Sequence, residues 1–441
     1  MSALPKDTIY ALASGAARAG VAVVRVSGPA ARAGFEKLTG KKKPVPRHVY
    51  YAALKDPATG ILLDRAIAFY FKSPASFTGE DTVEYHLHGG KSVIDGVLVA
   101  LGKIDGCRMA EPGEFTKRAF ENGKMDLTEA EAIADLIAAE TEAQRLLALD
   151  QLGGALAKLY QGWTERLAGI LAHQEAEIEF PDEDLPEGLA ATLAPQVEAL
   201  QNDIAAHLND HRRGEMLRGG VMIAIIGAPN AGKSSLLNAL AARDAAIVSE
   251  EAGTTRDIIE VHLDLGGYPV ILADTAGLRE TEHGIEAEGI KRAHALAERA
   301  DLKIALFDGT RDAPDEATLQ MIDNHTLTVL SKADKGIVLP LDGYPVSTVT
   351  GQGIEDFLKA LTACVRGMFS GDRAAPLLTR QRHRAALEEA FLALQRTLKA
   401  DLPELAAEDM RLALRALGRI TGRVHVEELL DKIFRDFCIG K

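Results

Sequence analysis

Hydrophobic positions change period along the chain, and the changes mark its parts. As far as residue 120 the pattern is short and strand-like. Ala22-Val-Val-Arg25-Val-Ser-Gly28 runs into a turn, and 66–71 and 82–88 alternate apolar and polar side chains as half-buried strands do. From Met125 the period turns helical: Leu127, Ala130, Ile133, Ala134, Ile137 and Ala138 share one face. Amphipathic stretches follow over 156–171 and 193–208, and the acidic run 175–184, closed by Pro181 and Pro186, reads as a helix end and loop. A third region holds the apolar runs 221–226 and 270–273 and the further strand 327–330. It closes with a helix over 354–368. Helical spacing then returns through Leu387, Ala390, Phe391, Leu394 and Leu398 and over 412–417.

The order predicts a multidomain protein, part α/β and part all-α. An α/β domain covers 1–120. A helical domain comes in two parts, 121–216 and 371–441, and a complete α/β domain over 217–370 is inserted between them. The two helical flanks are expected to fold together as one bundle.

The inserted region carries the most specific chemistry. Gly227-Ala-Pro-Asn230-Ala231-Gly232-Lys233-Ser234-Ser235 follows the apolar run directly and opens a helix through Leu236, Leu237 and Leu240. This is the spacing and context of a phosphate-binding P-loop. Backbone N–H groups and the helix N-terminus face a β-phosphate, Lys233 sets a positive charge between the β- and γ-phosphates, and the Ser234 hydroxyl can ligate Mg²⁺. Asp274-Thr275-Ala276-Gly277 ends the second apolar run, with Asp274 facing Mg²⁺ through water and Gly277 offering its N–H to the γ-phosphate. Between them, Gly253-Thr254-Thr255 occupies the place of a switch loop, where a threonine hydroxyl would join Mg²⁺.

Ser331-Lys332-Ala-Asp334 ends the third run and selects the base. A carboxylate at 334 accepts from guanine N1–H and its 2-amino group. Adenine lacks that donor pair and would leave the carboxylate unpaired. The Lys332 stem can cover the base plane. GTPases usually have Asn where this chain has Ser331, so the brace between base and P-loop is shortened, and weaker affinity with unchanged base choice is expected. Ser347-Thr348 is the expected last loop against the guanine carbonyl.

Many GTPases place Gln directly after the Asp-x-x-Gly turn to orient the attacking water; here that position is Leu278. Glu286, just before a predicted helix, is the candidate replacement, with a carboxylate facing a helix dipole as the other reading. Backbone carbonyls of the loop 245–253, with Asn230, can line a monovalent cation site that offsets charge developing between the phosphates. Asn230 also suits a turn after proline on its own account.

Composition narrows the setting. The chain has 441 residues, 47% of them hydrophobic, and its mean hydropathy is −0.02. No run approaches the length of a membrane span, and the first residues lack a signal-peptide pattern, so no membrane and a cytoplasmic location are expected. Three cysteines suit a reducing compartment. A net charge of −14 argues against indiscriminate nucleic-acid binding. The tail from residue 376 holds twelve Lys/Arg against ten Asp/Glu, a bias that a solvated helix surface explains equally well. Glu84, His86 and His88 share one strand face. A metal site is conceivable there, but structural histidines beside a ligand pocket fit the spacing better.

Over essentially its whole length the sequence resembles the tRNA-modification GTPases called MnmE or TrmE. The likeness rests on Gly-x-Pro-Asn-Ala-Gly-Lys-Ser-Ser, Ala-Gly-Thr-Thr-Arg-Asp and Asp-Thr-Ala-Gly-Leu-Arg in the inserted domain. At the front it rests on Arg25-Val-Ser-Gly, Ser76-Phe-Thr-Gly-Glu-Asp, His88-Gly-Gly and Pro112-Gly-Glu-Phe, and at the end on Phe437-Cys438-Ile-Gly-Lys441. Ser331 is the clearest departure. The resemblance implies that 1–120 is a tetrahydrofolate-binding and dimerisation domain, with Arg25, Glu84, Lys124 and Lys441 as contacts to a 5-formyl or methylene derivative. It implies a homodimer and a flavin-containing MnmG (GidA)-type partner, the pair modifying C5 of the tRNA wobble uridine. It also implies K⁺ held by Asn230, Thr254 and the backbone of Ser249 and Glu251, Mg²⁺ on Ser234 and Thr255, and a catalytic Glu286. Cys438 is implied as a candidate in the chemistry, beside its plain reading as a small apolar residue. Two alternatives remain: a ribosome-assembly GTPase of the same group, and a folate-dependent aminomethyltransferase-like enzyme with a regulatory G domain.

Overall fold

A computed structural model describes residues 7–179, 189–242, 259–274, 295–370 and 376–424 and, near the end, Leu430, Ile433, Phe434, Phe437 and Gly440. The chain forms two compact units, 1–134 with 418–441 and 135–417.

The first unit is built on β1 (Thr8–Leu12), β2 (Ala19–Ser27), α1 (Ala31–Thr39), β3 (Tyr50–Lys55), β4 (Leu62–Phe71), β5 (Thr82–Gly89), α2 (Lys91–Gly102), β6 (Cys107–Met109), α3 (Glu114–Glu121) and the start of α4 (Leu127–Ala138). The strands form one sheet in the order β3-β4-β5-β2-β1-β6, antiparallel except for β1 with β6. Alternation divides the side chains between its faces. Val24, Val26, Val83, Tyr85, Ala68 and Tyr70 pack with Phe35, Leu38, Val97 and Leu101 of α1 and α2. The intervening residues, Arg25, Glu84 and His86 among them, take the opposite face. Near β1 that face is covered by α3, whose Phe115 packs with Ile9, Ala11 and Phe77. Farther out, Val21, Tyr51 and Ile67 stay exposed. Leu430, Phe434 and Phe437 pack with Leu127 and Ala130, so the last stretch of chain belongs to this unit.

The second unit opens with α5 (Glu142–Leu152), α6 (Ala155–Glu179), α7 (Leu189–Leu208) and α8 (Arg213–Gly219). α6 stays helical through Glu179, so the acidic run begins within the helix. The α/β part follows: β7 (Val221–Ile226), α9 (Lys233–Ala241), β8 (Ile259–Leu265), β9 (Tyr268–Asp274), β10 (Leu302–Asp308), α10 (Glu316–Leu319), β11 (Thr326–Ser331), β12 (Tyr344–Pro345) and α11 (Ile354–Met368). Its sheet runs β12-β11-β10-β7-β9-β8, parallel except for the β8–β9 hairpin. One face packs on α9 and α11 through Leu236, Leu240, Phe357 and Leu361, and the other on Ala297, Leu339 and neighbours. Such an open sheet presents its ligand crevice at the carboxyl ends of the strands, where Ile226, Asp308 and Ser331 lie. Two helices complete the unit, α12 (Gln381–Thr397) and most of α13 (Pro403–Thr421). Among the described residues no helix is long and apolar enough to cross a membrane.

Candidate functional site

Glycine and αL backbone shape the loop after β7. Asn230 has φ 62° and Gly232, the residue before α9, φ 101°. The turn leaves Asn230, Ser234 and Ser235 exposed at the mouth of the helix while Ala231 and Lys233 are buried. The Lys233 ammonium donates to Gly227 O at 2.8 Å and Ala228 O at 3.0 Å, so its charge is held along the inside of the loop.

Across the sheet, Ser331 ends β11, Lys332 turns the chain with φ 59°, and Ala333–Lys335 forms one 3-10 turn carrying Asp334. Ala333 N donates to Val346 O, which draws the following loop to the same edge. A cavity of about 180 Å³ results, lined by Ala231, Gly232 and Ser235 of the loop and helix start, by Ser331, Lys332 and Asp334, and by Leu306, Thr348 and Val349. The loop after β7 and the turn after β11 thus line one space. Asp334 is exposed. Ser347 itself is fully buried: its hydroxyl accepts from Val349 N and Thr350 N, shaping the loop from within. Ser331 Oγ is buried without a hydrogen-bond partner.

Asp308, at the end of β10, is a residue that the motif reading passed over. Its carboxylate meets Lys332 Nζ at 2.6 Å and Thr310 Oγ1 at 2.7 Å. Burial alone would raise its pKa, but these bonds outweigh it and hold the carboxyl below its usual range. The signal was available: an aspartate directly after an apolar strand, as at Asp274.

In the first unit, Arg25 and Glu84 face each other in register on β2 and β5. Arg25 Nε donates to Glu84 Oε1 at 2.9 Å, and each side chain is 20% exposed. The guanidinium lies 5.1 Å from the Phe77 ring centre and 5.7 Å from that of Phe115. Lys124, exposed after α3, donates to Pro74 O at 3.1 Å and so reaches the same turn that carries Phe77. Gly440 packs on Leu12, the end of the strand beside Arg25's own. His88 pairs through Nδ1 with Asp64 of β4 at 2.8 Å, and His86 Nε2 lies 3.7 Å from Glu84. Asp64 and the two phenylalanines come from other segments and were missed. Burial works against Asp64's charge, yet the bonds from His88 lower its pKa. No group of metal-ligating side chains was found among the described residues.

Ser249, Glu251, Thr254, Thr255, Thr275, Ala276, Gly277, Glu286, Cys438 and Lys441 lie outside the described residues, as does the side chain of Asp274.

Two family models match the chain: "GTP-binding protein TrmE N-terminus" over residues 8–124 and "MnmE helical domain" over 127–438. The chain is 57% identical over 440 residues to the tRNA modification GTPase MnmE of Parvibaculum lavamentivorans, covering 99% of this chain and 100% of that protein. It is 52% identical to the protein of the same name from Rhodospirillum rubrum, with 99% of each covered. On these matches, and with a phosphate loop and base-reading turn lining one cavity, the chain belongs to the MnmE (TrmE) family of tRNA modification GTPases.

Proposed function

We propose that this GTPase is stimulated by K⁺ and works as a cytoplasmic homodimer with a flavin-containing partner. It serves to add an aminomethyl or carboxymethylaminomethyl group to C5 of the tRNA wobble uridine, drawing the carbon from a folate. The observation carrying the nucleotide half is the shared cavity, which is lined both by Asp334 and by Ala231 and Gly232 of the loop that carries Lys233. In this reading the guanine base occupies the cavity and the phosphates lie along the adjoining loop. Asp334 reads N1–H and the 2-amino group, and the loop's N–H groups with Lys233 take the phosphates, Lys233 exchanging two carbonyl bonds for phosphate oxygens.

The residues present suit the implied ions. Ser234 offers an exposed hydroxyl on the first turn of α9, a hard oxygen donor appropriate to Mg²⁺. Asn230 exposes a carboxamide beside it, a neutral donor appropriate to K⁺. Bound there, K⁺ would supply positive charge of the kind an arginine finger supplies elsewhere. Glu286 is assigned the orientation of the attacking water, since Leu278 has no polar group for it.

The folate half is supported by the Arg25–Glu84 pair between aromatic rings. A pterin needs a flat slot and paired hydrogen-bonding groups, and its glutamate tail needs cations such as Arg25, Lys124 and Lys441. The open sheet face with Tyr51 and Ile67 suits contact with a second copy. Cys438 is assigned to this site by its place between Phe437 and Gly440.

The test is GTP turnover in K⁺ and in Na⁺ at equal ionic strength, followed by wobble-uridine modification with the flavoprotein partner and folate. Turnover rising strongly in K⁺ supports the reading; a cation-indifferent rate overturns the K⁺ role. Modification that proceeds without added folate overturns the folate role.

A further inference from the structure

Lys332 reaches the guanine cavity with its ammonium already engaged. Nζ lies 2.6 Å from Asp308 Oδ2, and Asp308 is in turn fixed by Thr310 N at 3.1 Å and Thr310 Oγ1 at 2.7 Å. The carboxylate is 14% exposed and the lysine side chain 34%, so the pair is sheltered more than a surface ion pair is. Two backbone features bring them together. Lys332 takes φ 59°, and Gly309 N donates to Ser331 O at 3.1 Å. A side chain at Gly309 would collide with Ile337 and come within 2.8 Å of Ser331 O, so the close approach of β10 and β11 needs glycine there. Among the described residues Arg311 also lies near Asp308, at 3.8 Å, but it is 76% exposed and less able to replace Lys332.

We propose that Asp308 is a positioning residue for guanine binding: it tethers the Lys332 ammonium so that the lysine stem stands as a preformed wall of the base slot. This rests on the reading that the cavity takes guanine. A lysine stem has four rotatable bonds, and an untethered one must be ordered when the base arrives, at a cost to affinity. Tied at its far end, the stem is ordered beforehand. The ammonium is turned toward Asp308, and the methylenes are left to meet the ring.

The proposal is tested in the full chain by measuring Kd for GDP by displacement of a fluorescent GDP, for D308N, K332M, the double variant and D334N. Methionine keeps an apolar stem of similar length that cannot be tethered. D308N and K332M are each expected to weaken GDP about 5- to 10-fold, and the double variant no further than either alone. In D308N the loss is expected in KM for GTP rather than in kcat, and inorganic tripolyphosphate, which has no base, should bind as tightly as to the parent. Additive losses in the double variant, or an equal loss for tripolyphosphate, overturn the proposal. So does an unchanged GDP affinity in D308N. If D334N also leaves GDP binding intact, the guanine reading itself fails. A tight-binding D308N beside a defective D334N sinks only the role of Asp308.

Discussion

Ser331 closes β11 with a buried hydroxyl that makes no hydrogen bond, next to the phosphate loop. A Cβ placed on Gly232 would lie 3.9 Å from Ser331 Cβ, in ordinary van der Waals contact, so residue 331 stands directly beside the loop. Replacing an unpaired buried polar group by an apolar one is close to neutral or mildly stabilising. S331A should therefore shift the stability of the nucleotide-free protein by no more than about 1 kcal/mol, in the favourable direction, as read from a denaturant midpoint. S331N restores a carboxamide able to brace base and loop, and should tighten GDP several-fold in a titration. An unchanged Kd would mean that the serine already serves. At the other site, E84Q removes the charge partner of a sheltered arginine and should destabilise the first unit by about 1 kcal/mol. Sequence spacing singled out the loop 227–235 and the turn 331–334 because each is a local motif on one turn, and the structure brings both to one cavity. Arg25 was nameable only through family resemblance, and strand alternation singled out Glu84 beside His86 and His88 without its arginine partner. Their register, and the rings of Phe77 and Phe115 beside them, arise from segments that only folding brings together.

Helices α6, α7 and α12 meet around an aromatic cluster. Tyr160 OH lies 3.1 Å from His207 Nε2, and the ring of Trp163, the single tryptophan, lies 5.5 Å from that of His207. Burial pushes the His207 imidazole below its ordinary pKa of 6.5, with Arg384 adding to the effect and Asp210 opposing it. The unfolded chain then takes up the proton first. This group's contribution is complete above the unfolded pKa and is lost as pH falls below it, with a slope of at most about 1.4 kcal/mol per pH unit. Urea unfolding followed by Trp163 emission should show a lower midpoint at pH 5.5 than at 7.5. H207Q should flatten that difference, and an unchanged pH dependence in H207Q would assign it elsewhere. In the first unit, Gly113 has φ 68°, and a Cβ on it would come within 2.6 Å of Phe434 O. G113A combines αL strain with that clash and should loosen the end of the chain by about 1–3 kcal/mol, seen as faster amide exchange around Phe434. Helices with a long apolar stripe, such as α4, α7 and α11, are legible from their period. The start of α5 was also written locally, in a Thr141-x-x-Gln144 capping box that went unread. Strand ends are less legible because pairing sets them: β2 begins at Ala19, three residues before its apolar run, where a bulge carries it along β5.

At the scale of the whole chain, the α/β part of the second unit has the makings of an insertion. Its two cores draw only on residues between Met216 and Phe369. Its entry and exit lie together: Met216 and Phe369 pack on the same cluster, and the Tyr268 and Phe369 rings stack at 4.9 Å. On the helical side, Gly214 packs directly on the backbone of Leu378, and Arg384 ties the returning chain to Asp210, Glu215 and the Leu208 carbonyl. A chain whose departure and return touch can lose what lies between them without opening a gap. Residues 217–370 expressed alone should therefore fold and bind GDP within a few-fold of the full protein. The complementary protein, with that stretch replaced by a short Gly-Ser link, should keep its helical circular dichroism and a blue-shifted Trp163 emission, since Trp163 is 5% exposed and its cluster lies wholly outside the deletion. The contact of α5 with the α/β part limits this independence: Ala143 N donates to Gly267 O, and Gln144 Nε2 to the Arg218 carbonyl. If the remainder keeps its secondary structure while Trp163 shifts to the red, those contacts stabilise the bundle and the two parts fold as one; if both pieces hold, the routes by which nucleotide state can reach the helices include, among the described residues, the α5 contacts, the Arg218–Asp135 and His262–Glu140 pairs and the two paired connections.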